Sequence, residues 1–232
     1  MSTLLLRFAA PMQSWGLDAK FERRGTERVP TKSGVIGLVA AALGRRRNES
    51  IVDLQKLRFG VRVDREGVLV RDYHTAKSTV TSYVTQRYYL ADAVFLVGLE
   101  GEEEVLAEVE HALRFPVFPL FLGRRSCPPE GQVLLGIRYG KTLLEALRDE
   151  PWLVNNWLRK KETPEVSLRI VIDAPDGEYA YIQRDLPVSY NQVHRKFGFR
   201  RVCRRISQSL CFYRSYYECS YRLRLHEHLF IR

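Results

Sequence analysis

The chain lacks the residues that mark secreted, membrane-spanning and disulfide-stabilised proteins. Only four of its 232 residues are cysteine, too few for the disulfide framework of a small secreted domain. No run approaches the roughly 20 consecutive apolar residues of a membrane-spanning helix. The N-terminus has no basic region followed by an apolar stretch and a small-residue cleavage site, so we predict no signal peptide. We therefore expect a cytoplasmic protein.

Residues for metal binding and catalysis are few and scattered. The five histidines form no cluster in the sequence. Cys203, Cys211 and Cys219 recur every eight residues ahead of His226 and His228, but zinc sites use closely paired cysteines, which this spacing lacks. The sequence has no acidic metal cluster either. We predict no metal site and no cofactor.

The excess of basic residues is large but unevenly distributed. The chain has a net charge of +10 and a pI near 9.6, which indicates a polyanionic partner such as nucleic acid. Residues 195–232 hold ten Arg or Lys and two Glu, so residues 1–194 carry a net charge of only +2. A nucleic-acid-binding surface in that larger part must therefore come from local clusters of basic residues.

The order of predicted elements indicates an α+β fold. With 45% hydrophobic residues, the chain can form a sizeable core. The patterns predict a strand, a buried helix, two strands, an extended insertion, a strand, an amphipathic helix and a strand, then two short helices and two strands. This order favours a ferredoxin-like or RRM-like sheet with one helical layer. The predicted elements lie at 3–8, 33–43, 60–72, 73–89, 93–99, 102–115, 133–139, 142–147, 152–160, 165–173 and 178–183.

The sequence Thr31-Lys32-Ser33-Gly34 opens the apolar helix and is a candidate phosphate site. Free backbone N–H groups at a helix N-terminus, with a lysine beside them, attract anions. The alternative is an ordinary helix capped by Ser33 with an exposed lysine, and spacing alone favours that alternative. The P-loop pattern is absent from the sequence.

Four basic residues precede this helix: Lys20, Arg23, Arg24 and Arg28, with Phe21 between them. Arginine side chains bind phosphates, and aromatic rings stack on unpaired bases. The alternative is a solvated loop whose charge is balanced by nearby glutamates. From the sequence, the two interpretations are equally open.

Another candidate anion site is the sequence GRRSCP at 123–128. Its glycine allows close approach of the backbone, its two arginines supply anion contacts, and its prolines stiffen the exit. Cys127 has no His or Asp nearby in the sequence, so we interpret it as structural.

His74 is the residue around which a catalytic alternative can be built. It lies in the sequence DYH beside the predicted insertion. A metal-independent ribonuclease can use a histidine and a tyrosine with a lysine such as Lys77. The sequence favours a binding role over this ribonuclease role.

Four motifs, in this order, resemble one protein family. The sequences APMQSWG, VPTKSGVIGLVAAALG, RDYHT and LGRRSCP are similar to those of CasD subunits of type I-E CRISPR Cascade complexes, which are members of the Cas5 family in the RAMP superfamily. The later sequence RDLPVSYNQVHRKFGFRRV also resembles the family. The resemblance runs from about Leu4 to about Val202, and the sequence beyond Val202 has no clear counterpart.

The resemblance implies a domain organisation and a function. It implies a modified ferredoxin-like or RRM-like domain over 1–202, a projecting β-hairpin thumb inserted near 71–90, and a C-terminal elaboration, with 203–232 as a basic tail whose order the sequence leaves open. It implies a non-catalytic subunit of an antiviral surveillance complex that caps the 5′ handle of the crRNA. Its partners would be the crRNA, the backbone and large subunits and, through the complex, target DNA, with no membrane partner. The alternative is a metal-independent endoribonuclease that processes the repeat.

The clusters above and the resemblance together give the predicted RNA-binding residues. Residues 13–16 and 28–33 would form part of the handle-binding surface, residues 71–74 would lead into the thumb, and residues 123–127 would be the RNA-facing glycine-rich loop. The predicted contacts are Gln13, Ser14, Trp15, Lys20, Arg23, Arg24, Arg28, Thr31, Lys32, Ser33, Arg71, His74, Arg87, Gly123, Arg124, Arg125 and Ser126.

Overall fold

A computed structural model describes residues 1–17, 19–20, 22–79, 81–159, 165–207 and 210–211, without the side chains of 19, 20, 76, 156, 158, 165, 210 and 211. The strands are β1 Ser2–Ala9, β2 Met12–Gln13, β3 Ala19–Lys20, β4 Arg23–Arg24, β5 Arg58–Arg65, β6 Val68–Lys77, β7 Ser82–Ala91, β8 Val94–Gly101, β9 Leu134–Arg138, β10 Glu165–Val166, β11 Arg169–Asp173, β12 Tyr181–Ser189, β13 Lys196–Ile206 and β14 Leu210–Cys211. The helices are α1 Lys32–Ala42, α2 Val52–Gln55, α3 Glu103–Arg114, α4 Leu143–Asp149 and α5 Asn156–Arg159.

Seven strands form the central sheet, in the order β12-β13-β11-β5-β8-β1-β9, and every neighbouring pair is antiparallel. The mixed α+β class predicted from the sequence is confirmed. Helices lie on both faces of this sheet rather than in the single layer expected. Leu4 and Leu6 of β1 pack in the core with α1 and α3, whereas Leu5 packs in a second core with α4. Because both faces are covered, β1 is buried at nearly every position.

Two glycines of the central sheet face α4 and leave no room for a side chain there. A Cβ atom on Gly98 would lie 2.7 Å from Leu143, and one on Gly60 would lie 2.9 Å from Leu147. The helix begins with a capping box in which Thr142 and Glu145 satisfy each other's backbone N–H groups.

Helix α1 is buried on nearly every side, as its continuous apolar sequence predicts. Its N-cap is Thr31, whose hydroxyl accepts a hydrogen bond from the Gly34 amide, so the expectation of Ser33 as the cap was wrong by two residues. Even Lys32 and Ser33 in its first turn are buried. The half-exposed residues of the helix are Gly34, Gly37 and Ala41, which share one face.

A second, smaller sheet has the order β2-β7-β4-β3, and β6 pairs with β7 in a long hairpin. The hairpin register runs from Val68 opposite Ala91 to Lys77 opposite Ser82. The two strands predicted over 60–72 are present, but β5 belongs to the central sheet and β6 to the hairpin. The predicted contacts Arg23 and Arg24 form the short strand β4, which pairs with β3 and, in parallel, with β7. This pairing places β4 against the base of the hairpin.

The strand β13 was missing from the sequence-based expectations. It runs from Lys196 to Ile206, across the boundary predicted at 202. The residue after β13, Ser207, is still bound to the folded domain, because its amide donates a hydrogen bond to the Leu168 carbonyl at 2.8 Å. Within the described residues, no helix is long and apolar enough to cross a membrane, and no group of His, Cys, Asp or Glu side chains could hold a metal ion.

Candidate nucleic-acid interface

An open cleft of about 960 Å³ runs along the half-exposed face of α1, and we call it the α1 cleft. Its floor includes Gly34, Gly37 and Ala41. Because glycine has no side chain and alanine has only a methyl group, these residues leave space against the helix backbone. Five arginines line it: Arg45, Arg46, Arg47, Arg125 and Arg195. No acidic side chain is among the described residues that line it. The cleft is therefore positively charged and open to an anionic chain.

Aromatic side chains also line the α1 cleft, namely Trp15, Phe118, Phe121, Tyr190 and Phe197. Phe118 is 44% exposed, so its ring is available to a ligand. Arginines bind phosphate groups, and exposed rings stack on unpaired bases. Together these two kinds of side chain match the backbone and the bases of a single strand.

Tyr190 fixes one side of the cleft. Its hydroxyl donates a hydrogen bond to the Ser33 carbonyl and lies close to Gly37, where an added Cβ would be 3.5 Å away. Burial raises the pKa of the Tyr190 hydroxyl, although nearby Arg195 opposes the shift. The hydroxyl therefore stays protonated and keeps donating to α1.

Of the three arginines after α1, Arg45 is already paired within the protein. Its guanidinium donates to both carboxylate oxygens of Asp53, at 2.6 and 2.5 Å. This hydrogen bond lowers the pKa of the Asp53 carboxyl, against the opposing effect of partial burial. Arg46 and Arg47 are exposed, so they are the members of the triplet that can contact a ligand.

The predicted glycine-rich loop separates two arginines that are adjacent in the sequence. Gly123 has φ +85°, and a Cβ there would lie 1.6 Å from the Ser14 carbonyl oxygen. The turn that follows is closed by the Cys127 amide, which donates to the Arg124 carbonyl at 2.9 Å. Arg125 lines the α1 cleft, whereas Arg124 extends towards the hairpin.

Arg124 packs at the base of the hairpin. Its guanidinium carbon lies 4.5 Å from the centre of the Tyr89 ring, and its Nη2 donates to the Arg24 carbonyl at 2.9 Å. Arg23, on the same short strand as Arg24, lies 5.3 Å from the centre of the Tyr88 ring. We call Arg23, Arg24, Arg87 and Arg124 the hairpin-base cluster. Three other predicted RNA contacts, Arg28, Arg125 and Ser126, lie close to members of this cluster in the sequence, and their side chains are exposed.

Three predicted RNA contacts that precede Lys20 are buried, and two of them, Ser14 and Trp15, lie behind the surface of the α1 cleft. Trp15 is 1% exposed and stacks on Phe8 with 5.5 Å between ring centres. Gln13 is fully buried, donates to the Ala93 carbonyl at 2.8 Å and accepts from the Trp15 indole at 3.2 Å. Ser14 is also buried and donates to the Tyr88 carbonyl. The polar side-chain atoms of this loop already have partners within the protein. We therefore interpret the loop as a structural support for the interface.

The predicted phosphate site at the start of α1 is occupied by the protein's own side chains. Asp185 Oδ2 accepts a hydrogen bond from the Lys32 amide at 2.8 Å. The Lys32 ammonium donates to Asp173 Oδ2 at 3.0 Å and is buried. The structure therefore gives no support to Lys32 as a phosphate contact. Thr31 acts as the helix cap, and Ser33 contacts Tyr190 through its carbonyl.

Arg200 completes this buried network. It donates to both oxygens of Asp185, at 2.5 and 2.9 Å, and to Asp173 at 2.6 Å. Burial alone would lower the pKa of the Arg200 guanidinium, but its hydrogen bonds and its attraction to the two carboxylates outweigh burial and raise it. Two cations and two anions thus fasten the start of α1 to β11, β12 and β13, and this holds the cleft floor in place.

The remaining predicted contacts lie along the hairpin. Arg71 and His74 are exposed on β6, away from the residues that line the α1 cleft. Lys77 is three residues after His74 on the same strand, so their side chains point to opposite faces. Tyr73 shares the face of Lys77, not that of His74. The side chain of Lys20 lies outside the described residues.

The predicted contacts omit the arginines after α1 and most aromatic residues of the cleft, although the sequence contains a signal for Arg46 and Arg47. Arg46 and Arg47 follow the small-residue face of α1 directly, but an arginine triplet at this place also complements the helix dipole, so it does not by itself indicate a ligand. Phe118, Tyr190, Arg195 and Phe197 come from distant segments, and only the folded chain brings them to α1.

The chain matches known proteins along most of its length. A family model described as CRISPR-associated protein (Cas_Cas5) matches residues 3–203. The protein "CRISPR system Cascade subunit CasD" of Escherichia coli (strain K12) is 38% identical over 160 residues, which cover 58% of this chain and 70% of that protein.

Two solved structures are similar in sequence and in shape. One, described as "Crystal structure of Cas protein", is 41% identical with a TM-score of 0.72, and the match covers 89% of this chain and 95% of the other. The second, described as "CRISPR RNA-guided surveillance complex", is 30% identical with a TM-score of 0.74, and the match covers 89% and 90% of the two chains.

Proposed function

Since the chain belongs to the CRISPR-associated Cas_Cas5 family, we propose that it is a guide-RNA-binding subunit of a Cascade-type antiviral surveillance complex. It binds the 5′ handle of the crRNA. The observation that carries this proposal is the α1 cleft, where five arginines and five aromatic residues line one open surface with no acidic side chain among its described residues.

The shape of the cleft favours single-stranded RNA. Sequence-specific recognition of RNA uses unpaired bases that stack on aromatic side chains, with arginines on the phosphates. Phe118 and Tyr190 would contact bases, while Arg46, Arg125 and Arg195 would contact phosphates. The hairpin-base cluster extends the same basic surface beyond the glycine-rich loop, because Arg124 and Arg125 lie on its two sides.

The arrangement of the central strands supports a ferredoxin-like domain with a thumb. The elements β1, α1, β5, β8, α3 and β9 follow the β-α-β-β-α-β order of that motif, and their strands lie in the order β9-β1-β8-β5. The hairpin of β6 and β7 is the proposed thumb. Val68, Tyr73 and Tyr83 on it are more than 60% exposed, which suits contact with a neighbouring backbone subunit of the complex.

We propose a binding role rather than catalysis. His74 is the predicted ribonuclease residue, and the alternation of β6 places it on the opposite face from both Tyr73 and Lys77. All three side chains are exposed on the strand. A general acid–base pair needs both groups within hydrogen-bond reach of one reacting site, and this strand does not supply that geometry.

A binding experiment with the full chain tests the proposal. RNA that carries the repeat-derived 5′ sequence should bind more tightly than a scrambled RNA of the same length and composition. Arg125→Gln and Arg195→Gln should each weaken binding of the 5′ sequence. Equal affinity for both RNAs would contradict handle recognition, and cleavage of repeat RNA by the purified protein in EDTA, abolished by His74→Ala, would support the ribonuclease instead.

A further inference from the structure

The turn between β12 and β13 forms one side of the α1 cleft, and we call its residues 190–195 the cleft turn. The register of the two strands ends where Ser189 pairs with Lys196, so the six residues between them lie beyond the central sheet. Tyr190 and Arg195, at the two ends of the turn, line the cleft. The exposed residues of the turn are Gln192, Val193, His194 and Arg195.

The cleft turn has few attachments to the rest of the protein. The Asn191 amide donates to the Ser189 hydroxyl at 3.2 Å, and the Val193 amide donates to Asn191 Oδ1 at 2.9 Å. Both hydrogen bonds stay within the turn and the strand before it. Among the described residues, the turn has one hydrogen bond to a residue outside β12 and β13, which the Tyr190 hydroxyl donates to the Ser33 carbonyl of α1.

The strands below the cleft turn are fixed more firmly. Asp185 of β12 and Arg200 of β13 belong to the buried network at the start of α1. Nearer the turn, the Gln55 side chain of α2 donates to the Val188 carbonyl at 3.2 Å. A local opening of this region would therefore involve the turn and leave the two strands in place.

Tyr190 links the position of Arg195 to α1. The ring of Tyr190 packs against the main core, and its hydroxyl lies beside Gly37, where an added Cβ would be 3.5 Å away. The charge of Arg195 is close enough to oppose the rise in the pKa of the Tyr190 hydroxyl. Arg195 forms no ion pair among the described residues, so its place beside the cleft depends on the turn that carries it.

We propose that Tyr190 is a positioning residue, whose hydroxyl holds the cleft turn against α1 and so keeps Arg195 beside the α1 cleft. Without this hydrogen bond, the turn opens away from α1 more often, and Arg195 moves with it. The attachment itself is a property of the protein alone. Its effect on binding rests on the proposed function, because it takes RNA as the ligand of the cleft.

The first test measures opening of the cleft turn in the full chain without RNA. Tyr190→Phe keeps the ring and removes only the hydroxyl. Trypsin cuts after arginine and lysine, and where cleavage needs a local opening its rate follows the population of the opened state. Loss of one hydrogen bond should therefore raise the rate of cleavage after Arg195 and Lys196 roughly three- to tenfold, as measured by mass spectrometry of the peptides.

Two controls separate opening of the turn from general unfolding. Cleavage after Arg148 in α4, followed in the same digest, should keep its rate. Tyr139→Phe removes the hydroxyl of a tyrosine that is 66% exposed and follows β9, at the opposite edge of the central sheet, so it should be cut like wild type. If Tyr190→Phe leaves cleavage after Arg195 unchanged, or raises cleavage after Arg148 by the same factor, the proposal is overturned.

The second test measures binding of RNA with the repeat-derived 5′ sequence. If the closed turn falls to between about a half and a fifth of the molecules, the apparent affinity of Tyr190→Phe falls by the same factor, roughly two- to fivefold. In an Arg195→Gln background the hydroxyl has no arginine to position, so adding Tyr190→Phe should change the affinity little. Equal losses in both backgrounds would show direct contact of the hydroxyl with RNA and overturn the positioning role.

The positioning role and the proposed function fail in different ways. If Tyr190→Phe opens the turn but wild-type protein binds RNA without preference for the 5′ sequence, handle recognition is overturned and the attachment of the turn is supported. If wild-type protein prefers the 5′ sequence and Tyr190→Phe binds it equally well although its turn opens, the role of Tyr190 in binding is overturned and handle recognition is supported.

Discussion

Asp185 accepts a hydrogen bond from the backbone amide of Lys32, 153 residues earlier in the chain, at 2.8 Å. The N-terminus of a helix attracts anions, and here the anion is a side chain of the same protein. The beginning of α1 is therefore a structural anchor. Ligand binding is left to the half-exposed side of the helix and to the arginines at its other end.

Removing the Asp185 charge should destabilise the protein strongly. Asp185→Asn leaves Lys32 and Arg200 with one carboxylate between them in a buried place, and breaking a buried ion pair in this way costs about 3 kcal/mol of unfolding free energy. Urea denaturation measures the change. Asp149→Asn is the matched control, because Asp149 pairs with Lys141 at an exposed site and should cost less than about 1 kcal/mol. Equal effects of the two variants would contradict the anchoring role.

The contact between Gly123 and Ser14 predicts an intolerant glycine. In Gly123→Ala the new methyl group would meet the Ser14 carbonyl at 1.6 Å, so the loop must move. We expect a decrease of about 3 kcal/mol in unfolding free energy, from the positive φ and the clash together. RNA affinity should fall as well, because Arg124 and Arg125 move with the loop. Thermal melts and RNA titrations check both effects.

Gly140→Ala is the control for this substitution. Gly140 has φ +66°, but an added Cβ there meets no atom within 4 Å. The variant should therefore bear only the cost of the left-handed backbone, about 1 kcal/mol, and keep normal RNA affinity. If the two alanine variants are equally stable, the close approach of Gly123 to Ser14 is not what requires glycine.

The central elements could be predicted from the sequence because their signals are local. The apolar runs of β1 and α1 report burial on both sides, and α3 shows an amphipathic pattern of its own. Strand β13 escaped prediction because one of its inward-facing residues is Arg200, so the strand reads as polar. An arginine becomes a core residue only when Asp173 and Asp185 accompany it, and those partners come from other strands.

The predicted contacts illustrate the same limit. Arg23, Arg124 and Arg125 were identified from local clusters and are at the surface or half-buried. Trp15 and Lys32 were also predicted to contact RNA, but both are buried, Trp15 in a stack on Phe8 and Lys32 against Asp173 from a distant strand. The sequence shows which residues are capable of binding. Tertiary contacts decide which of them remain free to bind.

Trp15 and Phe118 should respond in opposite ways to substitution by alanine. Trp15→Ala removes a buried ring that stacks on Phe8 and should cost about 3–5 kcal/mol of unfolding free energy. Phe118→Ala removes a ring that is 44% exposed and should change stability by less than about 1 kcal/mol. It should instead weaken RNA binding by about 1–3 kcal/mol, the value of one stacked base.

Chemical denaturation and RNA titration on the same two preparations give both values. If Trp15→Ala folds normally and binds RNA poorly, the ring is a base-stacking platform after all. If Phe118→Ala binds RNA normally, the aromatic side of the α1 cleft does not stack on bases.

The ion pair between Arg45 and Asp53 predicts a small dependence of stability on pH. The pKa of the Asp53 carboxyl in the folded protein is below its ordinary value of 3.8, mainly because Arg45 donates hydrogen bonds to it. A lowered pKa means that the pair contributes stability above about pH 4, and that this contribution disappears as the pH falls through the folded value. Because Asp53 is partly exposed, the contribution should be below about 1 kcal/mol.

The measurement compares wild type with Asp53→Asn by urea denaturation from about pH 6 to about pH 3. The difference in unfolding free energy should be constant at the upper end and should shrink at the lower end. A difference that grows as the pH falls would show that Asp53 has a raised pKa in the folded protein.

The two unpaired arginines after α1 should act on RNA binding without affecting the fold. Arg46 and Arg47 are exposed and line the α1 cleft, so replacing each by glutamine removes a charge that can bind a phosphate and no ion pair among the described residues. Each replacement should lower the slope of log affinity against log salt by about 0.7 for single-stranded RNA. The affinity for the 5′ sequence and for a scrambled RNA should fall by similar factors, because binding to phosphates carries no sequence information.

Arg114→Gln removes the same charge from α3, where the arginine pairs with Glu110, and should leave the salt slope unchanged. If Arg114→Gln changes the slope as much as Arg46→Gln does, RNA responds to the overall charge of the protein and not to the α1 cleft.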